Sequence, residues 1–91
     1  MELSGKEKRR LRGLGRSLSP VATVGKAGLS EEFIAQVEEL LEQLELLKLR
    51  LPAGPSSIRK AQADEVAERT QATLVDLVGR MVVLYRPKPQ A

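Results

Sequence analysis

The sequence predicts an α/β fold of the two-layer α+β type, in which helices pack on a mixed sheet of four strands. Apolar residues recur at helical spacing near the N-terminus and again over residues 33–44. Leu47, Leu49 and Leu51 instead alternate with basic residues, which is the period of a half-buried strand. Near the C-terminus, Gly79-Arg80 separates two apolar β-forming segments, as in a hairpin. A β-branched segment after the first helix and a third helix before the hairpin complete the predicted order, α-β-α-β-α-β-β.

The first helix is predicted to begin at Ser4 and to run to about residue 16, because Ser4 and Glu7 have the spacing of a capping box. Four leucines form its expected buried stripe: Leu3, Leu11, Leu14 and Leu18. Three arginines follow helical spacing on the opposite side, with no acid on the same line within one turn, and we call them the arginine row: Arg9, Arg12 and Arg16. Because the planar guanidinium fork suits phosphate groups, this row is a candidate nucleic-acid contact; the alternative is a solvated face.

The second helix is predicted from Ser30, a good N-cap, after a β-branched strand over Val21–Val24 and a tight loop over Gly25–Gly28. Its apolar residues fall in one sector: Phe33, Ile34, Val37, Leu40, Leu41 and Leu44. Acidic residues occupy most of the remainder: Glu38, Glu39, Glu42 and Glu45. This helix therefore has one apolar and one acidic side.

The second half of the chain supplies the other sheet residues. Lys48 and Arg50 form the expected basic outer face of the second strand. A third helix over about 57–70 has a narrow stripe of small residues: Ala63, Val66, Ala67 and Thr70. The hairpin strands are predicted over 73–78 and 81–86 with a type II′ turn. A single domain over 1–86 is thus expected, followed by a flexible tail over 87–91, where Pro87 and Pro89 prevent the strand from continuing.

Composition excludes several classes of function. The chain has 91 residues, no cysteine and no histidine, so disulfides, thiolate metal sites and histidine-based catalysis are excluded. The carboxylates cluster only on the outer side of the second helix and show no calcium-loop spacing. We therefore expect no enzyme, no metal and no cofactor. No apolar run approaches the ~20 residues that span a bilayer and no apolar signal region follows the N-terminus, so a cytoplasmic protein without a membrane partner is expected.

Charge is distributed in blocks along the chain. Residues 1–30 hold seven basic and two acidic side chains, residues 31–45 hold six acidic and no basic ones, and residues 46–91 hold eight basic and four acidic ones. This pattern indicates a molecule with two electrostatically different sides. The two aromatic residues are assigned to packing, Phe33 in the core and Tyr85 in the last strand. Nucleic-acid binding would then depend on phosphate contacts, with weak sequence selectivity and strong salt dependence.

The loop Gly25-Lys26-Ala27-Gly28 is a second candidate contact. Two glycines around two residues let a backbone approach a sugar–phosphate chain, as the Gly-x-x-Gly loop of KH domains does. A plain strand-to-helix turn is the alternative. On the second strand, Lys48 and Arg50 are further candidates.

Several segments, in order, resemble the CRM domain, named for chloroplast RNA splicing and ribosome maturation, and in particular its stand-alone bacterial YhbY-like members. They are Leu3-Ser4 with Lys6, Leu11–Leu14, Pro20-Val21, Gly25–Leu29 and Val83–Pro87. The resemblance implies a fold like the C-terminal domain of translation initiation factor 3 and an RNA-binding role on precursors of the large ribosomal subunit. It also implies a basic surface that includes Lys6, Arg9, Arg12 and Lys26.

The chain departs from this family pattern in two places. Gly15-Arg16 stands where the family often has Ala-His, and Gln71 or a neighbour stands where a glycine usually follows the third helix. A left-handed backbone at the second place would make a non-glycine residue costly.

The predicted function is a non-enzymatic RNA-binding module that contacts ribosomal RNA in large-subunit assembly. The predicted RNA-binding residues lie in the first helix, the loop and the second strand: Lys6, Arg9, Arg12, Arg16, Gly25, Lys26, Ala27, Gly28, Lys48 and Arg50. The alternative is a protein-interaction adaptor whose acidic second helix binds a basic ribosomal protein.

Overall fold

A computed structural model describes residues 3–88 and confirms the predicted order of elements. The elements are α1 (Gly5–Arg16), β1 (Ala22–Thr23), α2 (Glu31–Leu44), β2 (Leu46–Arg50), α3 (Ser56–Arg69), β3 (Thr73–Val78) and β4 (Met81–Tyr85). The strand β1 is shorter than predicted. Its flanking residues nevertheless follow β2, since Val21 N–H donates to the Lys48 carbonyl and Val24 N–H to the Arg50 carbonyl, both at 2.9 Å.

The four strands form one mixed sheet in the order β1-β2-β4-β3, as the sequence predicts. The strands β1 and β2 are parallel, whereas β4 is antiparallel to both β2 and β3. A bulge interrupts the β3–β4 register between Leu74 and Asp76. In the hairpin turn Gly79 has a φ of 59°, the positive value that the first central position of a type II′ turn requires.

The helices cover both faces of the sheet, so the fold has three layers rather than the two that we expected. On one face α2 and α3 enclose the main core, which includes Leu47, Leu49 and Leu84. On the other face α1 packs through Leu11 onto Val83 of β4 and Val75 of β3. The reason lies in β4, whose consecutive residues 82–84 are all buried. Successive side chains of a strand point to opposite faces, so this strand needs cover on both.

The apolar stripes of α2 and α3 are confirmed with one exception. Val37 and Leu41 of α2 are fully buried, and Thr70, at the end of the small-residue stripe of α3, is buried with its hydroxyl donating to the Val66 carbonyl at 2.7 Å. The exception is Leu44, which is 47% exposed. The helix ends there, because Glu45 turns the chain into β2 with a φ of 60°.

The apolar stripe predicted for α1 is wrong in the second half of the helix. Leu11 is buried as predicted and Ser4 forms the predicted capping box with Glu7, but Leu14 is 48% exposed. The buried residue of the last turn is Gly15, where an added Cβ would lie 2.8 Å from Val83 Cγ1. A glycine thus sets the close approach of α1 to β4, and an apolar side chain is not needed there.

The predicted tail begins with two residues that contact the domain. Pro87 is half-buried, and Lys88 N–H donates to Glu45 Oε1 at 3.0 Å. The remainder of the predicted tail, 89–91, lies outside the described residues.

The C-terminus of α3 has a left-handed residue at the place where the resembling family usually has a glycine. Gln71 has a φ of 56°, its N–H donates to the Glu68 carbonyl, and Ala72 N–H donates to the Ala67 carbonyl. These two bonds define a Schellman motif, whose left-handed position favours glycine.

We expect Gln71→Gly to raise the free energy of unfolding by about 0.5–1 kcal/mol, because glycine adopts the left-handed conformation without strain. The greater backbone entropy that glycine loses on folding offsets only part of this gain. The measurement is a thermal or urea melt. The matched control is Gln71→Ala, which keeps a Cβ in the strained conformation and should give no gain. Equal melting temperatures for the two variants would contradict the prediction.

Candidate nucleic-acid interface

The basic side chains of α1 lie on its outer side, away from the sheet. Leu11 and Gly15 face the sheet, and the predicted contact residues Lys6, Arg9 and Arg16 are exposed, as is Arg12. Within residues 3–88 the ion pairs are Lys60–Asp64, Arg69–Glu65 and Arg86–Glu38, and none involves α1. The positive charge of the arginine row is therefore not neutralised by an intramolecular carboxylate in this part of the chain.

The members of the arginine row differ in their intramolecular contacts. Arg12 Nε donates to the Val75 carbonyl at 3.3 Å, beside the bulge of β3, so this side chain also fixes α1 to the sheet edge. Arg9 Nε donates to the Gly5 carbonyl of its own helix at 3.4 Å. The terminal guanidinium nitrogens of both side chains make no hydrogen bond within residues 3–88. Both residues can thus still bind a phosphate through the fork.

The loop after β1 is a closed turn at the surface. Gly28 N–H donates to the Gly25 carbonyl at 3.0 Å, and Gly28 has a φ of 69°, a left-handed conformation that glycine adopts without cost. A Cβ built at either glycine would meet no atom within 4 Å, so the space around the turn is open. Buried Val24 anchors the start of the loop to β2.

The strand β2 lies between α1 and the strand β1 that precedes this loop. Leu47 and Leu49 of β2 face the core of α2 and α3, so Lys48 and Arg50, like Leu46, lie on the α1 face. Lys48 Nζ donates to the Arg16 carbonyl at 3.5 Å, and Arg50 pairs with Thr23, two residues before the loop. Arg16, Lys48, Arg50 and the loop are thereby brought together, whereas Arg9 lies about 10 Å from Arg16 along the helix axis.

The expected basic outer face of β2 is only partly open to solvent. Lys48 is half-buried beside α1, while Arg50 is exposed. The acidic residues of α2 lie across the sheet from these side chains, because α1 and α2 pack on opposite faces. The two electrostatic sides that the charge blocks predicted are thus the two faces of one sheet.

A groove on the α1 face escaped the sequence analysis. It has a volume of about 350 Å³ and lies between the last turn of α1 and the exposed ends of β3 and β4. Its lining consists of Gly15, Arg16, Lys48, Asp76, Val78, Met81 and Val83. The sequence held one signal of this groove, because Asp76 is the single acidic residue in the otherwise mostly apolar segment Thr73–Val78.

Across residues 3–88, no group of three Asp or Glu side chains is close enough to hold a metal ion. None of the helices in that range combines the length and the apolar composition needed to cross a bilayer.

The fold is a small α/β domain with one basic face, an arrangement typical of nucleic-acid-binding domains. The CRS1/YhbY (CRM) domain model matches residues 3–86, and the chain belongs to this family. The resemblance found in the sequence is thereby confirmed. Membership of this family indicates a non-enzymatic protein, as the composition predicts.

Individual relatives match over nearly the whole chain. A Pseudomonas aeruginosa protein named as a probable RNA-binding protein is 32% identical over 90 residues, covering 99% of this chain and 86% of the relative. A Haemophilus influenzae protein named as an RNA-binding protein is 34% identical and covers 98% and 90%. The solution structure of SAV1595 from Staphylococcus aureus is similar with a TM-score of 0.85 and 35% identity, covering 98% of this chain and 93% of that one.

Proposed function

We propose that the chain is a non-catalytic RNA-binding module that grips the phosphate backbone of ribosomal RNA during assembly of the large ribosomal subunit. The observation that supports RNA binding is the placement of basic residues on one side of the sheet: Lys48 Nζ donates to the Arg16 carbonyl at the end of the arginine row, and Arg50 pairs with Thr23 of β1, which leads into the loop Gly25–Gly28. Relatives named as RNA-binding proteins support the same chemistry. The ribosomal target is carried over from the family resemblance.

The contacts divide between charge and shape. The arginine row supplies planar guanidinium groups along α1, which bind phosphate oxygens in pairs. Lys6 on α1 and Lys26 in the loop supply ammonium charges. The loop amides, with Gly25 and Gly28 lacking side chains, let the RNA backbone approach closely. Since these contacts are to phosphates, binding is strongly salt-dependent and only weakly selective for sequence.

Substitution of Gly28 tests the role of the loop. We expect Gly28→Asp to weaken RNA affinity roughly tenfold, because a carboxylate beside the loop repels phosphate and disturbs an amide contact worth that much. Gly28→Asn is the matched control: asparagine has nearly the same shape, tolerates the left-handed conformation and carries no charge. Filter binding at low salt measures both affinities, and a thermal melt measures folding.

A purely structural turn would give a different pattern. Both variants would then lower the melting temperature alike and bind RNA normally per folded molecule. That outcome would remove the loop from the proposed interface.

A further inference from the structure

The α1 helix covers only part of its face of the sheet. Leu3 and Leu11 cover the rows near Leu46 and Tyr85. The cross-strand row Lys48–Val83–Asp76 lies at the last turn of α1, which covers Val83, and the row Arg50–Met81–Val78 extends beyond that turn. Val78, at the end of the second row, is 61% exposed. All the residues of these rows except Arg50 line the groove of about 350 Å³.

The chemistry of the floor changes from one edge to the other. Cations lie on β2, apolar side chains on β4, and Asp76 and Val78 on β3. Two strand spacings, about 10 Å, separate the basic edge from the acidic edge. At the end of the groove, Gly15 brings the last turn of α1 down onto Val83, and Arg16 completes the basic side. One edge therefore suits a phosphate and the other suits a hydrogen-bond donor.

Asp76 is held in one orientation. Leu77 N–H donates to Asp76 Oδ1 at 3.0 Å. Within residues 3–88, Oδ2 accepts no hydrogen bond and the carboxylate forms no ion pair. Asp76 as a residue is half-buried, and its Oδ2 atom is a free acceptor in a groove that Val78, Met81 and Val83 also line. An ionised carboxylate has no donor, so its partner must bring an N–H group.

We propose that this groove binds one unpaired nucleotide of the RNA, whose base carries an exocyclic amino group. The phosphate lies at Lys48 and Arg16, the base rests on Met81 beside the last turn of α1, and the amino group donates to Asp76 Oδ2. The length of a nucleotide from phosphate to base edge matches the span from β2 to β3. The inference rests on the proposed RNA binding and adds a base-reading site to it.

A nucleotide suits this groove better than a purely ionic or purely apolar ligand. Phosphate alone would leave the apolar floor exposed and would be repelled by the acid. An apolar molecule would desolvate the cations and Asp76 without compensation. RNA-binding proteins read splayed bases by contact with the base plane and hydrogen bonds to its edge, and apolar and guanidinium groups serve here in place of aromatic rings.

Oligocytidylate and oligouridylate of equal length test the proposal. They carry the same phosphate charge, but cytosine has an amino group where uracil has a carbonyl oxygen. We expect the protein to bind oligocytidylate roughly tenfold more tightly, the effect of one hydrogen bond to a charged group. In Asp76→Asn the amide oxygen keeps the bond from Leu77 N–H, so the NH₂ group faces the base. The preference should then fall to none or reverse in favour of uracil.

Asp64→Asn is the matched control, since it removes the same charge from α3 on the opposite face and should keep the wild-type preference. Comparison of the two preferences cancels any difference in stacking between the oligonucleotides. Equal binding of both oligonucleotides by the wild type, or an unchanged preference in Asp76→Asn, overturns the nucleotide site but leaves backbone binding intact. Failure of the wild type to bind either one at low salt overturns both proposals.

Discussion

Simultaneous replacement of Arg9, Arg12 and Arg16 by alanine is expected to make the dependence of log K on log salt shallower by roughly 2–3 units. The physical reason is counterion release: each phosphate neutralised by an arginine frees condensed ions, and three such contacts would be lost. Affinity at low salt should fall by orders of magnitude in the same experiment. Filter-binding titrations over a range of salt concentrations measure the slope directly.

The structure requires one precaution in this experiment. Arg12 also donates to the Val75 carbonyl, so the triple variant loses a contact between α1 and β3. A thermal melt must therefore show that the variant is folded at the temperature of the titration. An unchanged slope in a folded variant would exclude the arginine row from the RNA interface.

A second variant on the opposite face separates RNA binding from the adaptor alternative. Glu39→Gln combined with Glu42→Gln removes two exposed charges from α2. Glu38 is unsuitable, because its Oε1 lies 3.9 Å from Arg86 Nη1. RNA affinity should stay level or rise slightly, and association with large-subunit precursors in sedimented extracts should persist. Loss of that association with normal affinity for naked RNA would favour the adaptor.

Local sequence signals predicted most of the elements because each signal acts within a few residues. The capping box of Ser4 and the N-cap Ser30 place two helix starts, and the alternation of Leu47 with its neighbours assigns β2 to a half-buried strand. The same signals do not say to which face of the sheet a helix packs. The position of α1 depends on long-range packing against Val83, which explains why two layers were expected and three are present.

The candidate site was predictable in its residues but not in its arrangement. Exposed basic residues on α1, the loop and β2 follow from helical and strand periodicity. Their juxtaposition depends on the parallel pairing of β1 with β2 and on contacts such as Lys48 with the Arg16 carbonyl. The prediction for Leu14 was wrong for a related reason: close packing at Gly15 leaves no apolar side chain in the sequence to indicate it. The groove follows from that same packing.

Arg86 illustrates that a basic residue in this chain can serve folding instead of RNA. Its guanidinium donates to the Thr70 carbonyl at 2.8 Å and to the Glu38 carbonyl at 3.3 Å, and its own N–H donates to the Glu45 carbonyl. It thereby joins the end of β4 to the C-terminus of α3 and to α2, on the face opposite α1. The residue belongs to the segment Val83–Pro87 that carried part of the family resemblance.

Arg86→Met is expected to lower the free energy of unfolding by about 2–3 kcal/mol, since methionine keeps an apolar stem but leaves two carbonyls without their charged donor. For a domain of this size that loss lowers the melting temperature by roughly 10–15 °C. Arg86→Lys should lie between the two, because an ammonium keeps the charge but cannot reach both carbonyls with a planar fork. Well below the melting transition, both variants should bind RNA with the wild-type salt slope. A shallower slope with unchanged stability would instead assign Arg86 to the RNA interface and contradict its structural role.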